Sequence, residues 1–306
     1  MPAISLLDYA NQTDAPKKSA LVQKIANESV FLKLLRFIPC DPLLGYRYNL
    51  QSTLGGIAFR GLNGSYTADA GIINPMIETT AIFGGLVDTD RQLANAPNGQ
   101  SVRTNHIMAK TKKAGLFFDK YVIDGDPATN PLQFYGLNAR LTGANVTYMG
   151  DNGAALTLAA LDAAIDYVVG TDNSQKAIIC NKTIRRKITN LVVAAAGGAA
   201  VLDVGRQLVA YNNCPIHCID EDGDEAAILG FDETRGSSDV TTSLYVVRPG
   251  TDTEGENLQG IVGSNMIEHV AYGERNAVVQ DLVEANLGIA LFHPRAAVRI
   301  AGITNA

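Results

Sequence analysis

The sequence predicts an α+β protein, on three observations. Residues 156–248 alternate helical and extended patterns: LTLAALDAAIDYVV (156–169) and KTIRRKITNLVVAA (182–195) repeat at helical spacing, while KAIICN (176–181), NCPIHCI (213–219) and SLYVVR (243–248) are short apolar runs of strand length. Residues 98–124 form one long helical stretch. Between Tyr46 and Asp88, extended-chain formers stand on both sides of a glycine-rich middle. No repeat of fixed period runs along the chain, which excludes solenoids and propellers.

Taken in order, residues 1–16 carry little intrinsic structure. KKSALVQKIANESVFLKLLRFIP then has apolar positions at Leu21, Ile25, Val30, Leu34 and Leu35, and the spacing predicts a helical segment that Pro39 stops. Gly55, Gly56, Gly61, Gly64 and Gly71 lie within 17 residues and predict a long tip between two strand arms, with Asn63-Gly64 as a ready turn. Ordering such a tip costs about 1–2 kcal/mol of backbone entropy per residue. Its own apolar content is thin, so a neighbouring subunit is expected to hold it. In the long helix, Asn98 or Ser101 supplies the cap, Val102, Ala109, Leu116, Phe117 and Tyr121 mark the expected packing face, and Lys110, Lys112 and Lys113 a basic side. DGDPATNP ends it with a cluster of breakers. The tail from Asn276 reads as strands, with an alanine- and valine-rich stretch at 296–298.

Of the 306 residues 46% are apolar, enough for a sizeable core, and only 18% are Asp, Glu, Lys or Arg, below the usual quarter. Residues 1–187 hold 19 basic and 15 acidic side chains (net +4), and residues 188–306 hold 6 and 16 (net −10). A mildly acidic total argues against a sequence-specific reader of nucleic acid, yet an acidic wall is suited to containing a polyanion without gripping it. Four cysteines are too few to staple a chain of this length, and the first residues have neither the basic nor the long apolar part of a signal peptide. LVVAAAGGAAVLDV is interrupted well short of a membrane span. These features predict a soluble chain made in a reducing cytoplasm.

Candidate chemistry is sparse. Cys214, His217 and Cys218 crowd five residues, but in a strand His217 faces away from the two cysteines, and Cys40 and Cys180 are isolated in sequence, so neither a zinc site nor a Cys–His nucleophile is expected. Asp220, Asp222 and Asp224 alternate as in a calcium loop, but the glycine and the closing glutamate are misplaced, which predicts a solvated turn. Arg185, Arg186 and Lys187 splay around a helix and read as a salt-bridging or shell-facing surface. There is no phosphate loop, zinc-protease or hydrolase motif. No catalytic residue, cofactor or metal is predicted.

The order of parts resembles the tailed-bacteriophage major capsid protein family, with its Hong Kong 97-like fold. Three pieces carry the resemblance: IDGDPATNPLQFYGL (123–137) after the long helix, AIICNKTIRRKITNLV in the central α/β region, and GIALFHPRAAVRIAGI (288–303) near the end. It covers nearly the whole chain after residue 20. The resemblance implies an N-terminal arm (1–29), an extended hairpin loop (49–83), a peripheral domain (30–48, 84–149 and 263–306) with a spine helix at 98–124, and an axial domain (150–262). It implies hexamers and pentamers closing into an icosahedral shell around double-stranded DNA, built in the bacterial cytoplasm, with portal, separate scaffolding and decoration proteins as partners and no membrane. Lys17 and Lys18 of the arm, Arg47 just before the loop, and Arg60, Asn63 and Tyr66 within it become inter-subunit contacts, and Arg185, Arg186 and Lys187 an axial-domain surface. Residues 47–109 contain no lysine, so the covalent lysine–asparagine lock of some family members is not expected. Other readings of the same residues are an encapsulin-like compartment that encloses enzymes, a cytosolic hydrolase using Cys214 and His217, and a monomeric binding module whose long loop grips a ligand.

Overall fold

The computed structural model describes residues 29–96, 99–195, 208–222, 224, 226–250, 257–264, 266–275 and 277–305. Ser29 caps a short helix α1 (Val30–Leu34), and the chain turns extended at Leu35 before strand β1 (Phe37–Pro39). The expected helix therefore stops well before Pro39, because Leu35 and Phe37 are needed in the core. Strands β2 (Tyr46–Thr53) and β3 (Ile72–Glu78) form a separate antiparallel hairpin, and β4 (Ala81–Asp90) leads into a one-turn helix α2 (Arg91–Ala94). Helix α3 (Gly99–Asp124) is 26 residues long, so Ser101 lies inside it and is not its cap. Helix α4 (Leu137–Arg140) and strand β5 (Val146–Tyr148) follow.

The central region alternates as expected: α5 (Leu158–Tyr167), β6 (Ala177–Cys180), α6 (Lys182–Ala195), β7 (Ala210–Tyr211), β8 (Cys214–Cys218), β9 (Glu233–Arg235) and β10 (Ser238–Val247). The remaining strands are β11 (Leu258–Val262), β12 (Glu268–Arg275), β13 (Val278–Leu291) and β14 (Ala297–Thr304). Among the described residues no helix is long and apolar enough to cross a membrane.

Two sheets organise these strands. In one, β13 is the hub, pairing antiparallel with β4, β11 and β12, and β1 adds in parallel beside β11. Phe37 stacks on Gly260 so closely that a β-carbon there would lie 2.4 Å from the ring. The other runs β5-β14-β10-β6-β8-β7, with β9 on β10. The boundaries expected at 149/150 and 262/263 do not follow the sheets. β11 pairs with β1 and β13, whereas β5 and the terminal β14 join the sheet of β6 and β10. A strand is placed by its pairing partners, which chain order does not reveal.

The central strands of the larger sheet, β6 and most of β10, are buried on both faces. Ala177, Ile179, Tyr245 and Val247 point into a core shared with α1, α3 and β13, while Ile178, Cys180, Leu244 and Val246 point the other way, into a core shared with α5 and α6. Strands buried on both sides read as continuous apolar runs rather than alternating ones. That is why AIIC and SLYVV were recognisable.

Helix α3 buries Ile107, Thr111, Gly115, Phe118 and Val122, a stripe at helical spacing. The expected packing face was displaced to one side of it: Leu116, Phe117 and Tyr121 are half-buried and Ala109 is exposed. The true stripe contains a threonine and a glycine, so hydropathy favoured its flanks.

Candidate assembly surface

The β2–β3 hairpin is firmly rooted and bare at its end. At the root, Gly45 adopts φ +71°, and a β-carbon there would lie 2.2 Å from the Glu78 carbonyl oxygen, so the entry to β2 requires glycine. Tyr46 and Tyr48 pack edge-on against Phe292 at ring separations of 5.6 and 4.9 Å. The Tyr48 hydroxyl donates to the Leu291 carbonyl at 3.1 Å, and its pKa is pushed up to about 12 by burial and by the neighbouring Glu78. Glu78 is buried and accepts two parallel bonds of 2.6 Å from Arg140, whose guanidinium also donates to the Ile289 carbonyl. This bidentate geometry fixes direction as well as distance.

Beyond Thr53 the strand ladder ends, although Gly56 N–H still reaches the Asp69 carboxylate across the loop at 2.9 Å. Leu54, Ile57, Phe59, Leu62 and Tyr66 all project into solvent, and Ile57, Phe59 and Leu62 are 100% or more exposed. Gly64 N–H closes a turn onto the Gly61 carbonyl at 3.1 Å, with Asn63 at φ 63°. Arg60 donates to the Gly64 carbonyl at 3.0 Å and lies over the Tyr66 ring at 5.5 Å. The tip thus spends its arginine on its own shape, while the apolar side chains are left outward. Arg47, on β2, is exposed.

A second uncovered surface runs beside α3. Phe83 and Phe117, with rings 5.5 Å apart, separate two adjoining cavities of about 120 and 200 Å³. Lys110 and Lys113 border the smaller; Ile82, Tyr121 and Leu132 border the larger, and Ile82 and Leu132 are exposed. Helix α3 also fixes the start of the described chain. Asp119, buried within the helix, accepts bonds from the Ser29 hydroxyl and from the N–H groups of Val30 and Phe31 at 2.8 and 3.1 Å. Burial raises its carboxyl to about 6 against those three donors and the nearby Lys33.

Other sequence candidates fall as follows. Lys17 and Lys18 lie outside the described residues. In the basic triplet Arg186 is exposed, Arg185 is half-buried, and Lys187 donates to the Thr304 carbonyl at 2.9 Å. The acidic turn is not free in solvent. Lys120 holds Asp222 at 2.8 Å and keeps its carboxyl below the usual range, and Lys113 pairs with Asp224, so the turn docks on the basic side of α3. Burial pushes the Cys214 thiol up to about 11, away from nucleophilic use, and lowers His217. Cys180, isolated in sequence, is brought into register with Cys218 on the adjacent parallel strand. No group of three or more His, Cys, Asp or Glu side chains among the described residues is placed to hold a metal ion.

No protein-family model matches the chain, and no curated protein matches it in sequence. Solved structures do match in shape. The chain is similar to the encapsulin of the holo-SrpI complex from Synechococcus elongatus PCC 7942, at 16% identity and TM-score 0.62, over 90% of this chain and 88% of that one. It is similar to the capsid of a native GTA particle, at 10% identity and TM-score 0.64, over 90% of each chain. The capsid of cyanophage A-1(L) matches at 14% identity and TM-score 0.62, over 90% and 93% of the two chains. At such identities the likeness establishes the fold: a mixed α+β fold of the Hong Kong 97-like kind, found in both capsids and encapsulins.

Proposed function

We propose that this chain is the repeating subunit of a closed protein shell, the major capsid protein of a tailed phage, and that it works by assembly rather than turnover. The observation that carries this reading is the β2–β3 hairpin, rooted by the Glu78–Arg140 pair and presenting Ile57, Phe59 and Leu62 fully to solvent. Such a display is a liability on a monomer and an adhesive surface on a tile. The fold shared with capsid and encapsulin subunits supports the same reading.

In this reading residues 49–83 lie across a neighbouring subunit and residues 1–29 reach another. The sheet of β6, β10 and β14 forms the axial part, the sheet hubbed on β13 with α3 the peripheral part. Arg47 at the foot of the loop and Asn63 and Tyr66 along it contribute contacts, and Arg186 faces outward from the axial part. Hexamers and pentamers multiply weak contacts by symmetry. Double-stranded DNA is the content, held without sequence readout; portal, scaffolding and decoration proteins are the companions, and the host cytoplasm is the place of assembly.

The similarity to an encapsulin supports a second reading, a compartment loaded with enzyme. One experiment tests both. The chain is expressed alone and with its neighbouring genes, particles are imaged by negative-stain microscopy, and their contents are digested with nuclease and analysed for protein. Closed particles protecting double-stranded DNA are expected. Particles carrying a stoichiometric enzyme instead select the compartment, and a chain that stays monomeric at high concentration overturns both.

A further inference from the structure

Cys180 and Cys218 close β6 and β8, strands that run parallel in register from Ile178↔Ile216 through Cys180↔Cys218. Neighbouring strands lie about 4.8 Å apart, within the Cα separation that a disulfide spans, and in-register residues of a parallel pair present their side chains to the same face. Cys218 packs against the buried cluster that contains Cys180. Their surroundings are unequal. Cys180 is fully buried, whereas Cys218 is half-buried at the end of its strand. Lys182 and Arg185 of α6 act on Cys218, and Asp220, itself paired with Lys182, opposes them. Cys180 immediately precedes Asn181, whose side chain caps the first turn of the same helix through Ile184 N–H at 2.8 Å. A partly buried cysteine beside cationic side chains, with a fully buried cysteine in register next to it, is the arrangement of an attacking cysteine and a resolving one. The isolated Cys40 and the buried Cys214 have no such neighbour among the described residues.

We infer that Cys180 and Cys218 form a dithiol–disulfide couple that joins β6 to β8 when the protein meets a disulfide oxidant. With oxidised glutathione, the Cys218 thiolate attacks one sulfur, forms a mixed disulfide and releases one glutathione thiolate. Cys180 gives up its proton to solvent and attacks the Cys218 sulfur, expelling the second glutathione thiolate. The cysteine pair loses two electrons, which the oxidant gains. In a reducing cytoplasm the pair stays open; after release into an oxidising medium it closes and ties together two cysteines separated by 37 residues of chain, 181 to 217.

The test incubates the purified native chain with oxidised glutathione, then maps disulfides by mass spectrometry without reduction. The expected product is a Cys180–Cys218 cross-linked peptide, with those two of the four thiols lost to titration and recovered by dithiothreitol. Cys180→Ser is expected to trap glutathione on Cys218, and Cys218→Ser to leave Cys180 unmodified. A lasting glutathione adduct on Cys218 of the unaltered chain overturns the couple. So does full retention of both thiols under conditions that oxidise the urea-unfolded chain.

Discussion

The β6–β10–β14 sheet and the β2–β3 hairpin are built from similar residues and treated oppositely by the fold. Ile178, Ile179, Tyr245 and Val246 are fully buried, one face against α3 and the other against α5 and α6. Ile72, Ile73 and Ile77 of the hairpin are more than half exposed, and the tip residues more so. Apolar strands in the sheet contribute to subunit stability, since each buried large side chain is worth about 1.5–3 kcal/mol. The same residues in the hairpin contribute nothing comparable until something covers them. The difference separates two free energies, that of folding the subunit and that of joining it to others. Substitutions should move one with little effect on the other.

The sharpest contrast comes from Tyr245. Its ring is fully buried and its hydroxyl bonds the Asn138 side chain, which in turn holds Asp124 at the end of α3 at 2.7 Å. Tyr245→Ala is expected to lower the unfolding free energy by about 3–5 kcal/mol, read as a fall in the urea midpoint at unchanged m-value. A loss below about 1 kcal/mol, no larger than for a surface residue, would show that the sheet is not the stabilising centre.

Glu78 stands on the border between the two regions, since it ends the hairpin but its partner Arg140 belongs to the body. Glu78→Gln leaves the half-buried arginine without a counter-charge and is expected to cost about 3 kcal/mol. Combining it with Arg140→Met should recover part of that loss, because the two substitutions share one interaction. Strict additivity in the unfolding measurements would mean that the pair does not couple root to body.

A pH series gives a smaller, signed effect. The folded-state pKa of Asp119, about 6, lies above the 3.8 of an unperturbed carboxyl, so the folded chain binds its proton more tightly than the unfolded one. Its ionised form is therefore a burden above pH 6, and the burden is relieved as pH falls through that value. Between pH 7.5 and 5 this group should add roughly 1–1.5 kcal/mol of stability. Asp119→Asn should flatten that part of the profile relative to the unaltered chain. An identical rise in both proteins would assign it to other groups.

How much of this was legible follows from the same contrast. AIIC, SLYVV and the helices around them were readable because burial on both faces leaves uninterrupted apolar runs. The hairpin was readable through its glycines and its shortage of self-support. The packing face of α3 was misread by hydropathy because Thr111 and Gly115 sit in its buried stripe. Pairings across long sequence separations had no local signal. Asp119 with Ser29, Asp222 with Lys120, and Cys180 with Cys218 join residues of ordinary appearance, and only the fold brings them together.

The smallest effect on folding should be the largest on assembly. Phe59 is fully exposed at the tip, so Phe59→Ser should change subunit unfolding by no more than about 0.5 kcal/mol. Deleting residues 54–71 should likewise leave a soluble, folded chain. Arg60→Glu removes the bond to the Gly64 carbonyl and the stacking on Tyr66, which alters the shape of the tip without touching the core. All three are expected to depress the yield of closed particles, the deletion most and Arg60→Glu least, when the same preparations are compared by unfolding and by sedimentation. Normal particles from the deletion would remove the hairpin from the assembly contacts. Parallel losses in unfolding and sedimentation would instead place the tip in the folding core, where its solvent exposure says it does not belong.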